Sequence, residues 1–330
     1  MSADADRSSY RYTKDVISER YESVFAQLVD FEQVNTVLDI GSNRGAFIRW
    51  LESRHPGKRI TGIEPDASVT SGYACLPNVS VQTCRFESAR LSVDHFDLAY
   101  CAHTLEHVES ARELLLGVHK ALKVGGWFFV AVPNLVFHAD IIEEIFIDPH
   151  TFHFTFDLLK SFAGQMGYSV EYAGEPEEAD IVLLLKKQEA DEAQLKFVQI
   201  DERLAARTMD GIARYGKSIH ANRAALKVSA ERLAEAAKTR KVVIWGGGRI
   251  LDGLVRFGGL DLSKVHMVVD KFLSAYVNQL HGCKLESPRA LEKEDPDEVL
   301  VYIASRDYAD EIRAEAQAMG VKSFIQFGKA

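Results

Sequence analysis

Cysteine is scarce in this chain of 330 residues. The four cysteines are Cys75, Cys84, Cys101 and Cys283. No two of them form a C-x-x-C pair, which argues against a zinc knuckle and a disulfide framework. We therefore expect reduced, buried thiols.

Long apolar runs and clusters of positive charge are also missing. No window approaches the apolar length that spans a membrane, and the polar start MSADADRSSYRYTKD has no signal-peptide core. The net charge is -9, and an acidic surface repels polyanions. We therefore expect a cytoplasmic protein with no membrane span and no nucleic-acid partner. Its length allows two domains.

The most informative pattern lies between residues 36 and 66. The apolar run TVLDI ends at the loop GSNRG, and the second run, RITGI, ends on Glu64. Strand, glycine turn, helix and a second strand that ends on an acid form the first βαβ unit of a doubly wound sheet. Ligands bind at the carboxyl ends of the strands in such sheets.

The composition of this loop indicates which cofactor it binds. A dinucleotide fingerprint requires glycine where this chain has Asn43, and the acid Asp39 precedes the loop. Both features disfavour a pyrophosphate. They suit S-adenosylmethionine, whose cationic groups can face Asp39 while Glu64 accepts hydrogen bonds from the ribose. The predicted cofactor residues in this region are Asp39, Gly41, Asn43, Gly45, Glu64 and Pro65.

Two later segments, FD…HTLEHV and LKVGGWFFVAVPN, follow in a matching order. Together with the loop they resemble the class I S-adenosylmethionine-dependent methyltransferases over about the first 190 residues. The resemblance implies an α/β fold with a doubly wound seven-stranded sheet that ends in an antiparallel hairpin. Thr13 could cap a helix that runs through Phe31, and the resemblance implies that such a helix covers the cofactor. Glu87 is expected near the adenine and His103 beside the methyl group.

The segment His103 to His107 also reads H-x-x-E-H, the inverted zincin motif. A zinc hydrolase would require a third protein ligand and a helix that has already begun at His103, whereas the pattern predicts that a strand ends there. We therefore expect no metal site and a reaction that EDTA does not inhibit. A non-catalytic scaffold is disfavoured because Asp39 and Glu64 are both present.

A connection rich in histidine and acidic residues, from Leu135 to Thr155, follows the fifth predicted strand, Trp127 to Val132. Transfer of a methyl group to a hydroxyl or a carbon acid requires a base, and histidine can serve near neutral pH. The segment DPHTFHFT resembles the place where related sugar methyltransferases carry a histidine near the methyl group. We therefore expect His150 to be the base, with His153 second and His107 and His103 as alternatives.

Residues 191–239 predict two helices that connect residues 1–190 to a second domain at 240–330. That second part resembles the Rossmann-like C-terminal domain of nucleotide-sugar C-methyltransferases, although their cysteine-rich zinc module is absent. Gly246, Gly248 and Asp270 match a nucleotide fingerprint, but its third glycine position is Leu251. An NAD-dependent oxidoreductase using this loop is the alternative from another class. A degenerate unit that closes the substrate cleft is equally compatible.

The sequence thus predicts an S-adenosylmethionine-dependent methyltransferase. The expected acceptor is a hydroxyl of a sugar, either nucleotide-linked or in a glycan precursor. Carbon methylation of a sugar is the alternative, and a homodimer is compatible with the sequence.

Overall fold

The computed structural model describes residues 17–137, 146, 149–189, 202–275, 277–306 and 308–328. The described residues divide into two compact units, and the division falls between Ile212 and Ala213. Each unit is built on a β-sheet of its own.

The first unit contains seven strands in one mixed sheet. Its strands are β1 (Thr36–Ile40), β2 (Arg59–Ile63), β3 (Val79–Gln82), β4 (Phe96–Ala102), β5 (Leu122–Pro133), β6 (Tyr168–Ala173) and β7 (Asp180–Lys187). Its helices are α1 (Glu19–Leu28), α2 (Ala46–Arg54), α3 (Ala111–Ala121) and α4 (Phe156–Gln165), and α5 (Glu202–Ala236) begins in this unit. The strand order is β3-β2-β1-β4-β5-β7-β6. The first five strands are parallel, and β7 is antiparallel to both β5 and β6, which confirms the predicted sheet and its terminal hairpin.

The strand order reverses between β1 and β4. The chain leaves β1 towards β2 on one side and later returns to β4 on the other side. This reversal opens a crevice at the carboxyl ends of β1 and β4, where open α/β sheets bind their ligands. All five residues of β1 are buried because the strand is covered on both faces.

The second unit contains a six-stranded sheet. Its elements are β8 (Lys241–Trp245), α6 (Arg249–Arg256), β9 (Met267–Val269), β10 (Gln279–Leu280), β11 (Cys283–Glu286), β12 (Val299–Ile303), α7 (Ala309–Ala318) and β13 (Phe324–Gln326). The strand order is β10-β11-β9-β8-β12-β13, and all pairs are parallel except β10 with β11.

The N-terminal helix is shorter than the predicted span of residues 13–31. Ser18 is extended (φ -64°, ψ 147°), and its Oγ accepts a hydrogen bond from the backbone N–H of Tyr21, so it caps α1. At the other end Val29 leaves the helical conformation, with φ -107° and ψ 115°. The predicted cap, Thr13, lies outside the described residues.

Two further expectations differ from the structure. β5 begins at Leu122 rather than Trp127, because the glycine turn forms a bulge: the register with β4 shifts over this stretch, and Gly125 has a φ of 75°. The described part of the predicted connector is one continuous helix, α5, rather than two. Its C-terminal half contributes Leu226, Ala230 and Leu233 to the core of the second unit.

The cysteines follow the expectation only in part. Cys101 and Cys283 are buried, whereas Cys75 is exposed, so its predicted burial was wrong. Among the described residues, no helix combines the length and the apolar character needed to cross a membrane.

An aromatic cluster joins α1 to the sheet of the first unit. Phe25 of α1 is fully buried, and its ring centroid lies 4.9 Å from that of Phe129 and 5.5 Å from that of Trp50. Phe47 and Tyr100 stack in the same cluster with centroids 3.9 Å apart. Aromatic burial therefore holds α1 against the carboxyl half of the sheet.

Replacing Phe25 with alanine is expected to lower the free energy of unfolding by about 3–5 kcal/mol, because the buried ring leaves a cavity. Urea unfolding followed by circular dichroism and tryptophan fluorescence measures the loss. The matched control is Leu28→Ala in the same helix, where the side chain is 37% exposed and the expected change is below about 1 kcal/mol. Equal losses in the two variants would contradict the role of the cluster.

Candidate active site

Two glycines shape the loop after β1. Gly41 has a φ of 72°, and a Cβ on it would lie 2.0 Å from Thr104 Oγ1. Gly45 has a φ of 80°, and a Cβ there would lie 2.4 Å from the ring of Tyr73. Both positions therefore require glycine for backbone conformation and for space. The Tyr73 hydroxyl also lies 2.8 Å from Ser42 Oγ, which fixes the middle of the loop.

Glu64, directly after β2, faces the same loop. Its Oε2 accepts a hydrogen bond from the Asn43 N–H at 2.9 Å, and its Oε1 accepts one from the Asp66 N–H at 2.9 Å. Asn43 has a φ of 42°, a left-handed conformation that asparagine tolerates better than most residues. Only 8% of Glu64 is exposed. Each carboxylate oxygen keeps a second lone pair, so Glu64 can also accept from ribose hydroxyls. Pro65 follows it as an exposed residue.

Asp39 is buried below the loop without a complete set of partners. It is 2% exposed, and its Oδ2 has no hydrogen-bond partner among the described residues. Burial, and then the nearby charge of Glu64, raise the pKa of Asp39 to about 8. A buried carboxylate of this kind is costly unless a cation pairs with it. The group fits the cationic part of S-adenosylmethionine.

The segment after β4 packs directly against this loop. Thr104 Oγ1 donates a hydrogen bond to the Ile40 carbonyl at 3.2 Å, next to the close contact with Gly41. His103 ends the strand in a left-handed conformation (φ 53°), and a short 3-10 turn, Leu105–His107, follows. The two histidines of the H-x-x-E-H segment thus do not share one α-helical face, which disfavours the zinc hydrolase alternative.

His103 lies between two acids and a tyrosine. Its Nε2 is 3.4 Å from the Tyr21 hydroxyl and 3.6 Å from Asp180 Oδ2, while its Nδ1 is 3.7 Å from Glu106 Oε1. Burial lowers the pKa of His103, but the hydrogen bonds and charges of Asp180 and Glu106 outweigh this effect and raise it to about 10. The Tyr21 hydroxyl also donates to Asp180 Oδ2 at 3.4 Å. Arg20 of the same helix pairs with Glu178, so α1 is tied to the loop before β7.

A second histidine pair lies beside this group. The ring centroids of His107 and His150 are 4.8 Å apart, and His107 Nε2 is 3.8 Å from Glu106 Oε1. His107 Nδ1 is 2.8 Å from the Pro149 carbonyl and donates to it, because a carbonyl only accepts. One ligand atom from each of Glu106, His107 and His150 lies within 4.8 Å of the others.

The segment that carries His150 is anchored at two places. The Thr151 N–H donates to the Glu106 carbonyl at 2.8 Å, and Thr151 Oγ1 donates to the Val108 carbonyl at 2.8 Å. Further along, the Leu135 N–H donates to the Phe154 carbonyl at 2.9 Å. The backbone therefore holds His150 beside the end of β4.

His153 occupies the outer side of the same segment. Its ring stacks on that of Phe146 with centroids 4.6 Å apart, and its centroid is 6.3 Å from that of His150. Phe146 is one of the exposed large hydrophobic side chains. Four further polar residues of the predicted substrate connection lie outside the described residues: His138, Glu143, Glu144 and Asp148.

Glu87, the predicted adenine neighbour, has a local structural contact. Its Oε1 accepts a hydrogen bond from the Glu109 N–H at 2.9 Å, which links the end of β3 to the loop before α3. The carboxylate is exposed, and its contact with adenine stays a prediction.

The structure thus gathers Asp39, Gly41, Asn43, Gly45 and Glu64 into one socket. It brings His103, His107, His150 and His153 to the neighbouring strand end. Three polar residues of this group were not predicted as site residues from the sequence: Tyr21, Glu106 and Asp180. Glu106 was visible as the acid of the EH pair, whereas Asp180 carries no local signal because its partner is distant in the chain.

In the second unit, a carboxylate also accepts hydrogen bonds from backbone N–H groups at the glycine loop. Asp270 Oδ2 accepts from the Gly247 N–H at 2.9 Å, and its Oδ1 accepts from the Phe272 and Leu273 N–H groups at 2.9 and 2.8 Å. Leu251, at the third fingerprint position, is fully buried. Among the described residues of this unit, nothing favours redox chemistry over a structural role for the loop.

Part of this chain is similar to known methyltransferases. Residues 11–168 match a family model described as a methyltransferase domain. No curated protein matches the chain in sequence. A solved S-adenosylmethionine-dependent methyltransferase from Mesorhizobium loti is 17% identical, with a TM-score of 0.43, and the match covers 52% of this chain and 98% of that one. One from Archaeoglobus fulgidus is also 17% identical, with a TM-score of 0.42 and coverage of 54% and 96%.

A further similar structure contains ligands. It is the 1,6-didemethyltoxoflavin-N1-methyltransferase of Burkholderia thailandensis with bound 1,6-didemethyltoxoflavin and S-adenosylhomocysteine. That protein is 17% identical, with a TM-score of 0.44, and the match covers 56% of this chain and 87% of that one. The family match identifies a methyltransferase domain at residues 11–168, and the socket described above fits S-adenosylmethionine as its cofactor.

The affinity for S-adenosylhomocysteine is expected to rise with pH between about pH 6 and about pH 8. With its pKa raised to about 8, Asp39 holds a proton in the free protein at neutral pH, and a bound ammonium favours the ionised form. Binding below that pKa therefore releases a proton, with a limiting slope of about tenfold per pH unit, and levels off above it. Calorimetry at several pH values measures this slope. Asp39→Asn should abolish it, and an equal slope in that variant would contradict the assignment.

Glu64→Ala is expected to weaken S-adenosylhomocysteine binding by roughly 1.5–3 kcal/mol, which is typical of a lost charge-assisted hydrogen bond. The matched control is Glu32→Ala, which removes an exposed acid of the same unit away from the loop. Calorimetry on both variants is the measurement. If Glu64→Ala binds as the unmodified protein does, Glu64 is not part of the cofactor site.

Proposed function

We propose that this protein, an S-adenosylmethionine-dependent methyltransferase, transfers the methyl group to a hydroxyl of a sugar, nucleotide-linked or in a glycan precursor. One observation carries the proposal. The polar group formed by Glu106, His107 and His150 adjoins the cofactor socket through the contact of Thr104 with Gly41. An acceptor in this group would lie at the carboxyl ends of β1 and β4.

Methyl transfer from a sulfonium is an in-line displacement, so the protein must align the acceptor and remove its proton. When bound, S-adenosylmethionine supplies the electrophilic methyl group. Asp39 would face the cationic part of the cofactor, and Glu64 would accept from its ribose. In this proposal, the fixed β1 loop sets the direction from which the acceptor must approach.

The first candidate for the proton acceptor is His150, and His153 is the second. His107 is a further candidate, since its Nδ1 donates to the Pro149 carbonyl and leaves Nε2 as the accepting nitrogen. His103 is less suited, because its two ring nitrogens face Asp180 and Glu106. We assign it a positioning role at the end of β4.

A sugar acceptor is supported by the chemistry around these histidines. Carboxylate, imidazole and hydroxyl groups can bind sugar hydroxyls, and the exposed ring of Phe146 stacked on His153 offers a flat face. The sequence resemblance to sugar methyltransferases also supports a sugar acceptor. Transfer to a carbon of the sugar is the alternative.

We also propose how the chain is organised. The chain comprises a methyltransferase domain at 1–190, a helical connector at 191–239 and a Rossmann-like domain at 240–330. The order of the parallel strands of the second unit, β11-β9-β8-β12-β13, supports the last assignment. A cytoplasmic location and a homodimer complete the proposal.

The direct test is methyl transfer from S-adenosylmethionine carrying a ¹³C-labelled methyl group to a panel of nucleotide sugars, followed by NMR. A new O-methyl resonance supports the proposal, and a C-methyl resonance supports the carbon alternative. Transfer to none of the sugars, by a protein that binds S-adenosylhomocysteine, would reject the sugar acceptor and leave the cofactor assignment intact.

His150→Ala is expected to lower turnover by on the order of 10² to 10⁴ while S-adenosylhomocysteine affinity stays nearly unchanged, because a base acts on the acceptor. His153→Ala should cost less. His95→Ala, an exposed histidine at the opposite end of β4, is the matched control and should retain full turnover. Full turnover in His150→Ala would move the role to His153, His107 or solvent.

A further inference from the structure

We propose that Glu106, His107 and His150 form a binding site for one divalent transition-metal ion. The three residues belong to the first unit and come from two neighbouring segments, the turn after β4 and the segment before α4. Their ligand atoms lie within 4.8 Å of one another. In a tetrahedral site with bonds of about 2.1 Å, neighbouring ligand atoms lie about 3.4 Å apart. Side-chain rotations that close the group by up to about 1.4 Å therefore suffice.

His107 is oriented as a metal ligand should be. Its Nδ1 donates to the Pro149 carbonyl at 2.8 Å, so Nε2 carries the lone pair and is the nitrogen that can bind an ion. Ligating histidines commonly donate their other ring nitrogen to a backbone carbonyl in this way. The same Nε2 already lies 3.8 Å from Glu106 Oε1.

Glu106 supplies an unsatisfied buried charge. Its side chain is 2% exposed, and its Oε2 has no hydrogen-bond partner among the described residues. A buried carboxylate oxygen without a partner carries a desolvation cost that a bound cation would remove. On the other side, His103 Nδ1 lies 3.7 Å from Glu106 Oε1 and would orient the carboxylate from outside the ligand set.

Backbone hydrogen bonds already hold the two segments together. The Glu106 carbonyl accepts from the N–H groups of Thr151 and Phe152, at 2.8 and 3.2 Å. His150 directly precedes Thr151. The three ligands are thus held close by backbone hydrogen bonds, and the ion does not have to assemble the segments.

The donor set selects the class of ion. Two imidazoles and one carboxylate suit manganese, iron, cobalt or zinc, whereas magnesium and calcium prefer oxygen ligands. Three protein ligands leave coordination positions open, as in catalytic rather than structural zinc sites. The site therefore fits an ion that also binds a small molecule.

The role of the ion in the reaction rests on the proposed function. An acceptor hydroxyl bound at an open position would lose its proton more readily and would be held in place for transfer. His150 would then act as a ligand, and His153 or solvent would take the proton. This inference replaces the expectation from the sequence that transfer is independent of metal.

The test uses the full-length protein, treated with EDTA, desalted and titrated with Co²⁺ alone. We expect saturable binding of one equivalent, with visible d–d bands and no thiolate-to-cobalt charge-transfer band. The absence of saturable binding, or a charge-transfer band that places the ion on a cysteine, would overturn the proposal.

Three single variants test the ligands: His107→Ala, His150→Ala and Glu106→Gln. Each is expected to weaken Co²⁺ binding at least about tenfold, while His95→Ala leaves it unchanged. Affinity for S-adenosylhomocysteine verifies that each variant is folded. A folded His107→Ala or His150→Ala variant that binds Co²⁺ like the unmodified protein would overturn the assignment.

This measurement separates the metal site from the proposed function, because it requires neither cofactor nor acceptor. Loss of Co²⁺ binding in the variants supports the site even if no sugar is methylated. Methylation of a sugar by EDTA-treated protein at the full rate would reject the role of the ion in the reaction.

Discussion

The close packing of Gly41 against Thr104 is the constraint on which the candidate site depends. No side chain larger than a hydrogen atom fits at Gly41, because a Cβ would lie 2.0 Å from Thr104 Oγ1. This contact brings the loop after β1 and the turn after β4 together at the crevice created by the reversal of strand order. The predicted cofactor residues Asp39 and Glu64 therefore lie on one side of the contact, and the histidines on the other.

One buried carboxyl group lies on each side of this contact. Asp39 and Glu106 each retain an oxygen with no hydrogen-bond partner among the described residues. Burying a carboxyl oxygen without a partner reduces the stability of the free protein, and such groups persist where a ligand completes them. The first fits the cation of the cofactor, and the second lies beside two imidazoles. In the proposed function, the pair divides the crevice into a half for the methyl donor and a half for the acceptor.

The sequence predicts the sheet, and the position of Glu64 beside the β1 loop, because their signals are local. Two glycines, a preceding acid and a second acid after β2 lie within thirty residues, as the printed sequence shows. The start of α1 was missed because both Thr13 and Ser18 can cap a helix, and sequence alone does not decide between them. The single helix α5 was missed because burial of Leu226, Ala230 and Leu233 outweighs the cost of about 1 kcal/mol for each internal glycine. The partners of His103 depend on tertiary contacts with α1 and β7, which no local pattern encodes.

The left-handed conformation of His103 has a consequence for sequence variation at this position. At a φ of 53°, the backbone favours glycine, and histidine adopts such a conformation less readily than glycine. Selection for the backbone conformation alone would favour glycine over histidine at this position. A protein of this fold that keeps histidine here therefore reveals a requirement for the ring itself, whereas glycine at the same place would indicate that only the turn is needed. The identity of this one residue in natural variants thus distinguishes retained chemistry from retained shape.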